Sequence, residues 1–169
     1  NVHRKPDSTS SDAIKLDYYK GIDYAPGKIT DKALTFIQKN KTKPFFLYLP
    51  YTLPHLSLQA PDEYVKQYIG QFEEKPYYGQ NGYTGVKYPL STYAAMITYL
   101  EEQVGIVMKK IKDLGLDENT IIMFSSDNGA TFNVGGVQAS FFNSENGLRG
   151  LKMDLYEGGI RIPFIARWP

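Results

Sequence analysis

Residues 120–129 read TIIMFSSDNG, an apolar run followed by an acid, an amide and a glycine. The apolar part, 120–124, lacks the alternation of a half-exposed strand, so it predicts a strand that is covered on both faces. The strand leads Asp127 and Asn128 into a turn at Gly129, where the missing side chain lets a ligand approach the backbone. Carboxylate and amide oxygens are hard ligands, suited to Ca²⁺ or Mg²⁺ and not to zinc. The stretch therefore predicts a strand end able to hold a hard divalent cation.

The tripeptide Asp127-Asn128-Gly129 is, on its own, also typical of a turn that closes a strand. Two donor side chains are also too few for the roughly six to eight oxygens that surround Ca²⁺ in proteins. The metal prediction therefore requires further ligands from other residues, and the plain turn remains an alternative.

The composition is that of a globular chain, with 169 residues, 42% hydrophobic and 22% charged. The net charge is +1 and no apolar run reaches the length of a membrane span, so the sequence predicts neither a nucleic-acid partner nor a membrane partner. The absence of cysteine excludes disulfides, thiolate zinc sites and cysteine nucleophiles within these residues. The chain opens without an initiator methionine and closes on a strand-like run, which favours an internal segment of a longer protein.

Helices and apolar strands alternate along the chain. Residues 1–29 read as an extended arm or loop, and Thr30 is predicted to cap a helix that runs to about residue 40. The continuous apolar run 44–50 predicts another covered strand. Pro61 predicts the first turn of a short helix that reaches about Tyr68.

The second half follows the same order. Residues 70–89 and 129–147 are rich in turn-forming residues and predict loops. Between them, Ser91 is predicted to cap the longest helix, which Gly115 ends. One face of that helix is apolar, with Ile97, Leu100, Val104, Val107, Ile111 and Leu114. Residues 164–167 predict the last strand, so the whole pattern indicates an α/β layer with a mostly parallel sheet.

Further candidates for chemistry lie outside the strand end. His55 follows Pro54 in a loop after the predicted strand 44–50, where it could bind an anion or give a proton to a leaving group. Lys152 offers a compact positive charge beside Gly150, able to meet an oxyanion. A loop histidine satisfied by backbone and a solvated surface lysine are the plain alternatives. Arg149, Glu157 and Arg161 could contact an oxyanion or form structural ion pairs, and the ion-pair interpretation is favoured. Gly158-Gly159 is interpreted as a site of close backbone packing.

Taken together, these motifs resemble the sulfatase family, whose fold resembles that of alkaline phosphatase. The stretches that carry the resemblance are 43–49, 54–61, 119–129, 148–152 and 156–163. The likeness runs along nearly all of the chain and is greatest to the arylsulfatase-like glycan sulfatases of bacteria. It implies that residues 30–169 form an α/β core segment of one catalytic domain. That domain would be an alkaline-phosphatase-like sandwich with a mostly parallel sheet flanked by helices.

The resemblance also implies roles for individual residues. Asp127 and Asn128 match two ligands of the family's single divalent ion, usually Ca²⁺. His55 matches the histidine beside the sulfate and the leaving-group oxygen, and Lys152 matches the lysine that contacts the sulfate. Ser57 is a departure, because many members have proline there, and it bears on the rigidity of the loop that carries His55.

A larger departure is the family's nucleophile, a formylglycine made from Cys or Ser within Cys/Ser-x-Pro-x-Arg. That pattern is absent from these residues, as are the family's N-terminal acidic metal ligands and its N-terminal pocket lysine and histidine. The resemblance therefore implies a middle segment of an exported enzyme that hydrolyses a sulfated small molecule or glycan, and a segment that is inactive alone. Two alternatives are a phosphodiesterase or phosphonate hydrolase of the same superfamily, and a catalytically inactive glycan-binding protein. The oligomeric state is left open.

Overall fold

The computed structural model describes residues 9–17 and 21–169. In these residues the chain forms helices joined by long loops, together with a pair of short strands. In chain order the elements are α1 (Asp12–Asp17), α2 (Ala25–Asn40), α3 (Asp62–Val65), α4 (Pro89–Asp113), β1 (Ile122–Ser125), α5 (Glu157–Ile160) and β2 (Phe164–Arg167). Short 3-10 helices lie at Gln80–Gly82, Asp117–Asn119 and Ala139–Phe142. This mixture confirms the predicted α/β class.

The prediction of an extended arm or loop over 1–29 is wrong at 12–17 and 25–29, which are helical, whereas 9–11 and 21–24 lie outside any helix or strand, as predicted. Helix α1 lies within that range, and α2 begins at Ala25 with Pro26 in its first turn, where a proline suits the geometry of a helix start. Residues 1–8 and 18–20 of the predicted arm lie outside the described residues.

Thr30 is not the N-cap of α2, because it lies inside the helix. Its Oγ1 donates a hydrogen bond to the carbonyl oxygen of Pro26, one turn earlier, at 3.2 Å. The same hydroxyl shares a hydrogen bond of 2.7 Å with the phenol of Tyr51. Thr30 thus fastens α2 to the segment that precedes His55.

Helix α4 is capped by the side chain of Glu74, which lies far before the helix in the sequence. Ser91 lies inside the helix, and the carboxylate of Glu74 supplies the cap instead. Its Oε2 accepts from the backbone N–H groups of Leu90 and Ser91, at 2.7 and 3.2 Å, and its Oε1 accepts from the hydroxyl of Ser91. The predicted C-terminal end of α4 is confirmed. Leu114 is the C-cap residue, and Gly115, which follows it, has a φ of +68°.

The helices pack through small and aliphatic side chains. Helices α2 and α3 both contact α4. Ile37 of α2 is completely buried, and Ala95 and Ile111 of α4 are buried as well. The predicted apolar face of α4 is confirmed at the buried Ile111 and is wrong at Ile97, which is 42% exposed. Among the described residues, no helix combines the length and the hydrophobicity that crossing a bilayer requires.

A second apolar cluster joins the loops on either side of α4. Its buried members are Leu58, Leu90, Met96 and Val137. Leu58 follows His55 in the chain and Val137 belongs to the loop after Asn128, so the cluster brings two loops with candidate residues onto the start of α4.

Strands β1 and β2 form an antiparallel pair, with Phe124 opposite Ile165. The described residues hold no parallel strand pair, so the mostly parallel sheet stays a prediction. The prediction that 120–124 is covered on both faces is wrong here, because Met123 and Phe124 are 64% and 37% exposed. The cause is that no described element packs over β1 apart from its neighbouring strand.

The predicted strand 44–50 is not formed among the described residues. No described strand lies beside this segment to pair with its backbone, and Phe46 and Tyr48 are 88% and 74% exposed. Helix α3 is shorter than predicted, because Pro61 precedes it and its last residue is Val65.

Candidate functional site

The end of β1 is held by main-chain hydrogen bonds to the segment 149–163. The N–H of Gly129 donates to the carbonyl of Gly159 at 2.9 Å, and the N–H of Lys152 donates to the carbonyl of Ala130 at 2.6 Å. Nearby, the Ser125 hydroxyl donates to the carbonyl of Pro163 at 2.9 Å. The fold therefore places the backbone of Lys152 beside the turn that carries the candidate metal ligands.

Glycines make this approach possible. A Cβ at Gly129 would lie 2.0 Å from the carbonyl oxygen of Gly158, and a Cβ at Gly158 would lie 2.0 Å from the carbonyl oxygen of Gly150. A Cβ at Gly159 would lie 2.3 Å from the carbonyl oxygen of Asp154. These distances confirm that Gly158-Gly159 serves close backbone packing.

Asp127 and Asn128 keep their oxygens available. The exposed carboxylate of Asp127 forms no hydrogen bond or ion pair with the described residues. The Nδ2 of Asn128 donates to the carbonyl of Gly129 at 2.9 Å, and its Oδ1 has no hydrogen-bond partner among the described residues, so that oxygen can accept or bind a cation.

The side-chain oxygens of Asp127 and Asn128 are of the type that a hard cation prefers, but there are too few of them to fill its coordination shell. Both are oxygens, which Ca²⁺ and Mg²⁺ prefer, but two oxygens fill only part of a coordination shell. Among the described residues, no group of three or more His, Cys, Asp or Glu side chains is arranged to hold a metal. A cation held at this strand end would need further ligands besides these two side chains.

His55 lies in a tight turn with its ring exposed. Its backbone N–H donates to the carbonyl of Thr52 at 2.8 Å, and its Nδ1 lies 2.5 Å from the carbonyl oxygen of Leu56. A carbonyl oxygen can only accept, so Nδ1 carries a proton. The other ring nitrogen, Nε2, is thereby the atom available to a ligand.

Two connections relate the candidate residues to one another. Lys152 is bonded through its backbone to the turn after Asn128, and Leu56 packs against Gly135 in the loop that continues from that turn. Among the described residues, no hydrogen bond or ion pair joins the side chains of His55, Asp127, Asn128 and Lys152 directly.

Lys152 differs from the basic residues beside it. Its half-buried side chain forms no ion pair with a described carboxylate. By contrast, the Nε of Arg161 pairs with the Oε2 of Glu157 at 2.6 Å, as predicted. The ion pair predicted for Arg149 is not formed with any described acid. Its guanidinium lies 3.7 Å from the ring centroid of Tyr156 and donates a hydrogen bond of 2.7 Å to the phenol. Lys152 is therefore the cation of this segment that remains free to meet an anion.

Ser57 stood out in the sequence as a departure from the family pattern, but its contact with Thr84 did not. The hydroxyl of Ser57 accepts from the backbone N–H of Thr84 at 2.8 Å and donates to its Oγ1 at 3.1 Å. Thr84 lies between Tyr77 and Val86, whose backbones exchange hydrogen bonds. No local pattern could reveal the contact between Ser57 and Thr84, which are 27 residues apart.

Tyr77 is also affected by its surroundings. Burial, with a smaller contribution from the Tyr83 phenol, raises the pKa of Tyr77 above its ordinary value.

Comparison with known proteins identifies the family of this chain. The sulfatase family model matches residues 7–169. This chain belongs to the sulfatase family. It is 34% identical over 147 residues to an N-acetylgalactosamine-6-O-sulfatase of Bacteroides thetaiotaomicron, covering 83% of this chain and 25% of that protein. It is 28% identical over 152 residues to the steryl-sulfatase of Rattus norvegicus, covering 89% and 22%.

A solved structure shows the same relation. The crystal structure of Ps i-CgsB in complex with k-i-k-neocarrahexaose superposes with a TM-score of 0.69 and 31% identity, over 89% of this chain and 29% of that one. The chain thus spans about a quarter of the length of these relatives. The two relatives compared by sequence are both named as sulfatases.

Proposed function

We propose that this chain is part of a sulfuric ester hydrolase that removes sulfate from a sulfated glycan or aryl ester. The observation that carries the proposal is the junction of Lys152 with the turn after Asp127 and Asn128, within a chain of the sulfatase family. That junction brings the backbone of a lysine without a carboxylate partner among the described residues next to the turn that carries the hard oxygen donors. A sulfate, with its negatively charged oxygens, is a natural ligand for such a set.

Each residue has a distinct task in this proposal. Asp127 and Asn128 would hold a divalent ion, Ca²⁺ or Mg²⁺, which when bound supplies a Lewis acid to the sulfate. Lys152 would neutralise charge on the nonbridging sulfate oxygens. His55, through Nε2–H of its imidazolium, would give a proton to the leaving oxygen. The nucleophile, a formylglycine in the family, would come from residues outside this chain.

The wider setting follows from the same proposal. Exposed apolar residues on β1 and β2, such as Met123 and Phe164, would be covered in a larger, mostly parallel sheet of the alkaline-phosphatase-like sandwich. A glycan substrate is supported by the Bacteroides relative, which is named as an N-acetylgalactosamine-6-O-sulfatase. Polymeric substrates of this kind lie outside the cytoplasm, so we propose an exported protein.

The activity is tested with the full-length protein on a matched pair of substrates, 4-nitrophenyl sulfate and 4-nitrophenyl phosphate. We expect release of 4-nitrophenol from the sulfate with a kcat/KM at least about tenfold above that for the phosphate, equivalent to about 1.4 kcal/mol. Preference for the phosphate would contradict the proposal. Binding of a sulfated glycan without turnover of either ester would instead support an inactive glycan-binding protein.

The metal site gives a separate expected result. In the full-length protein, Asp127→Ala should raise the Kd for Ca²⁺ at least about tenfold, because affinity depends on the number of charged ligands. Isothermal titration calorimetry measures this, with Asp113→Ala as the control, since Asp113 pairs with Lys109 on α4. Residues 1–169 alone should bind Ca²⁺ more weakly than the full-length protein. Equal affinities would contradict a site completed from outside the chain.

A further inference from the structure

The loop that carries His55 is anchored on both sides of a single carbonyl group. On one side, Leu56 packs so closely on Gly135 that a Cβ there would lie 2.2 Å from Leu56 Cδ2. On the other side, the Ser57 hydroxyl is bonded to both the N–H and the Oγ1 of Thr84, at 2.8 and 3.1 Å. The peptide between these anchored residues contains the carbonyl oxygen of Leu56.

That carbonyl sets the protonation pattern of the His55 ring. It forms the only hydrogen bond between the imidazole and the described residues, through Nδ1 at 2.5 Å. Because Nδ1 must donate there, Nε2 is the nitrogen that can exchange a proton with a ligand. Because this one hydrogen bond orients the ring, movement of the Leu56 carbonyl would also change the orientation of the His55 ring.

We propose that Ser57 and Gly135 are positioning residues for leaving-group protonation, acting through the Leu56 carbonyl on His55. This inference rests on the proposed sulfatase function. As an oxygen nucleophile of the full-length protein bonds to sulfur, the S–O ester bond breaks and its electron pair passes to the leaving oxygen. The Nε2 proton of the His55 imidazolium moves to that oxygen. The ring is left neutral, with its remaining proton on Nδ1 bonded to Leu56.

The experiment is a leaving-group series in the full-length protein. Aryl sulfates whose phenols span a wide range of pKa are compared in the wild type and in Ser57→Ala, Gly135→Ala and His55→Ala. Esters of weakly acidic phenols depend most on protonation of the leaving oxygen, and a positioned acid contributes about 10²–10⁴-fold to the rate. In the variants, kcat/KM should therefore fall at least about tenfold for these esters and much less for 4-nitrophenyl sulfate. The dependence on phenol pKa should become steeper in all three variants.

Matched variants separate positioning from general damage. Ser57→Thr keeps the hydroxyl and should restore the wild-type dependence. Ser140→Ala removes an exposed serine of the 3-10 helix Ala139–Phe142 and should leave the dependence unchanged. Gly135 has φ +73°, so its alanine variant carries a backbone cost, and Ser57→Ala decides the matter if Gly135→Ala fails to fold. A ¹⁵N NMR spectrum of labelled histidine should show protonated Nδ1 in the wild type and a mixed tautomer in Ser57→Ala.

The outcomes distinguish this inference from the function on which it rests. If His55→Ala does not steepen the dependence on phenol pKa, the role of His55 in the proposed function is wrong. If His55→Ala steepens it but Ser57→Ala lowers all rates equally or not at all, and the ¹⁵N pattern is unchanged, the positioning role is overturned.

Discussion

Lys152→Ala is expected to lower the kcat of the full-length protein on an aryl sulfate by about 10²–10³-fold, the loss typical of removing one preorganised donor from a developing oxyanion. The reason is that the ammonium lacks a carboxylate partner among the described residues, so its charge is available to the sulfate. The backbone of Lys152 is held independently, by its N–H bond to Ala130, so the truncation should leave the loop in place. Steady-state kinetics and circular dichroism together test both statements.

Two further variants give this measurement its controls. Lys152→Arg should recover little of the lost kcat, because the planar guanidinium group of arginine does not replace the compact charge of an ammonium group in a close-packed turn. Lys32→Ala removes an exposed lysine of α2 and should leave kcat unchanged. Wild-type turnover in Lys152→Ala would contradict the sulfate contact.

Gly158→Ala is expected to destabilise the protein by about 3 kcal/mol or more, at or beyond the usual upper range for overpacking. The added Cβ would lie 2.0 Å from the carbonyl oxygen of Gly150 and 2.9 Å from that of Arg149. Those oxygens belong to backbone that also carries Lys152, so relief of the clash has to move the candidate sulfate site. Urea denaturation followed by fluorescence measures the loss.

Gly105→Ala provides a matched control of opposite sign. Gly105 lies within α4, and beyond its own helix backbone no described atom lies within 4 Å of the position that a Cβ would take. Alanine there should stabilise the protein by about 0.5–1 kcal/mol, because glycine is costly in the middle of a helix. Equal stability of Gly158→Ala and the wild type would show that the two backbones do not touch.

Local signals predicted the elements that depend on local physics. The last strand, 164–167, and the end of α4 at Gly115 agree with the structure, because turn residues and apolar runs act on their immediate neighbours. The prediction that α2 starts at Thr30 is wrong, although Pro26 offered a helix-start signal of its own. The cap of α4 by Glu74 could not be foreseen, since the acceptor lies 16 residues before Leu90.

The candidate site was predictable in its residue types and not in its connections. Asp127, Asn128, Lys152 and His55 could be chosen from motifs and from the family resemblance. Their roles stay predictions. The bond from Lys152 to Ala130 and the pair Ser57–Thr84 depend on how distant loops close over one another, which periodicity and turn preference do not encode.

The Glu74 cap also constrains the order in which the chain can fold. Most of α4 can form its helix from local contacts. The N–H groups of its first turn gain the Glu74 carboxylate as acceptor only after the loop between Glu74 and α4 has closed. Loop closure costs entropy before it yields contacts, so this turn should be a late event. Because the apolar cluster around Leu90 joins this turn to the loops that carry the candidate residues, we expect the site to take its shape together with the cap.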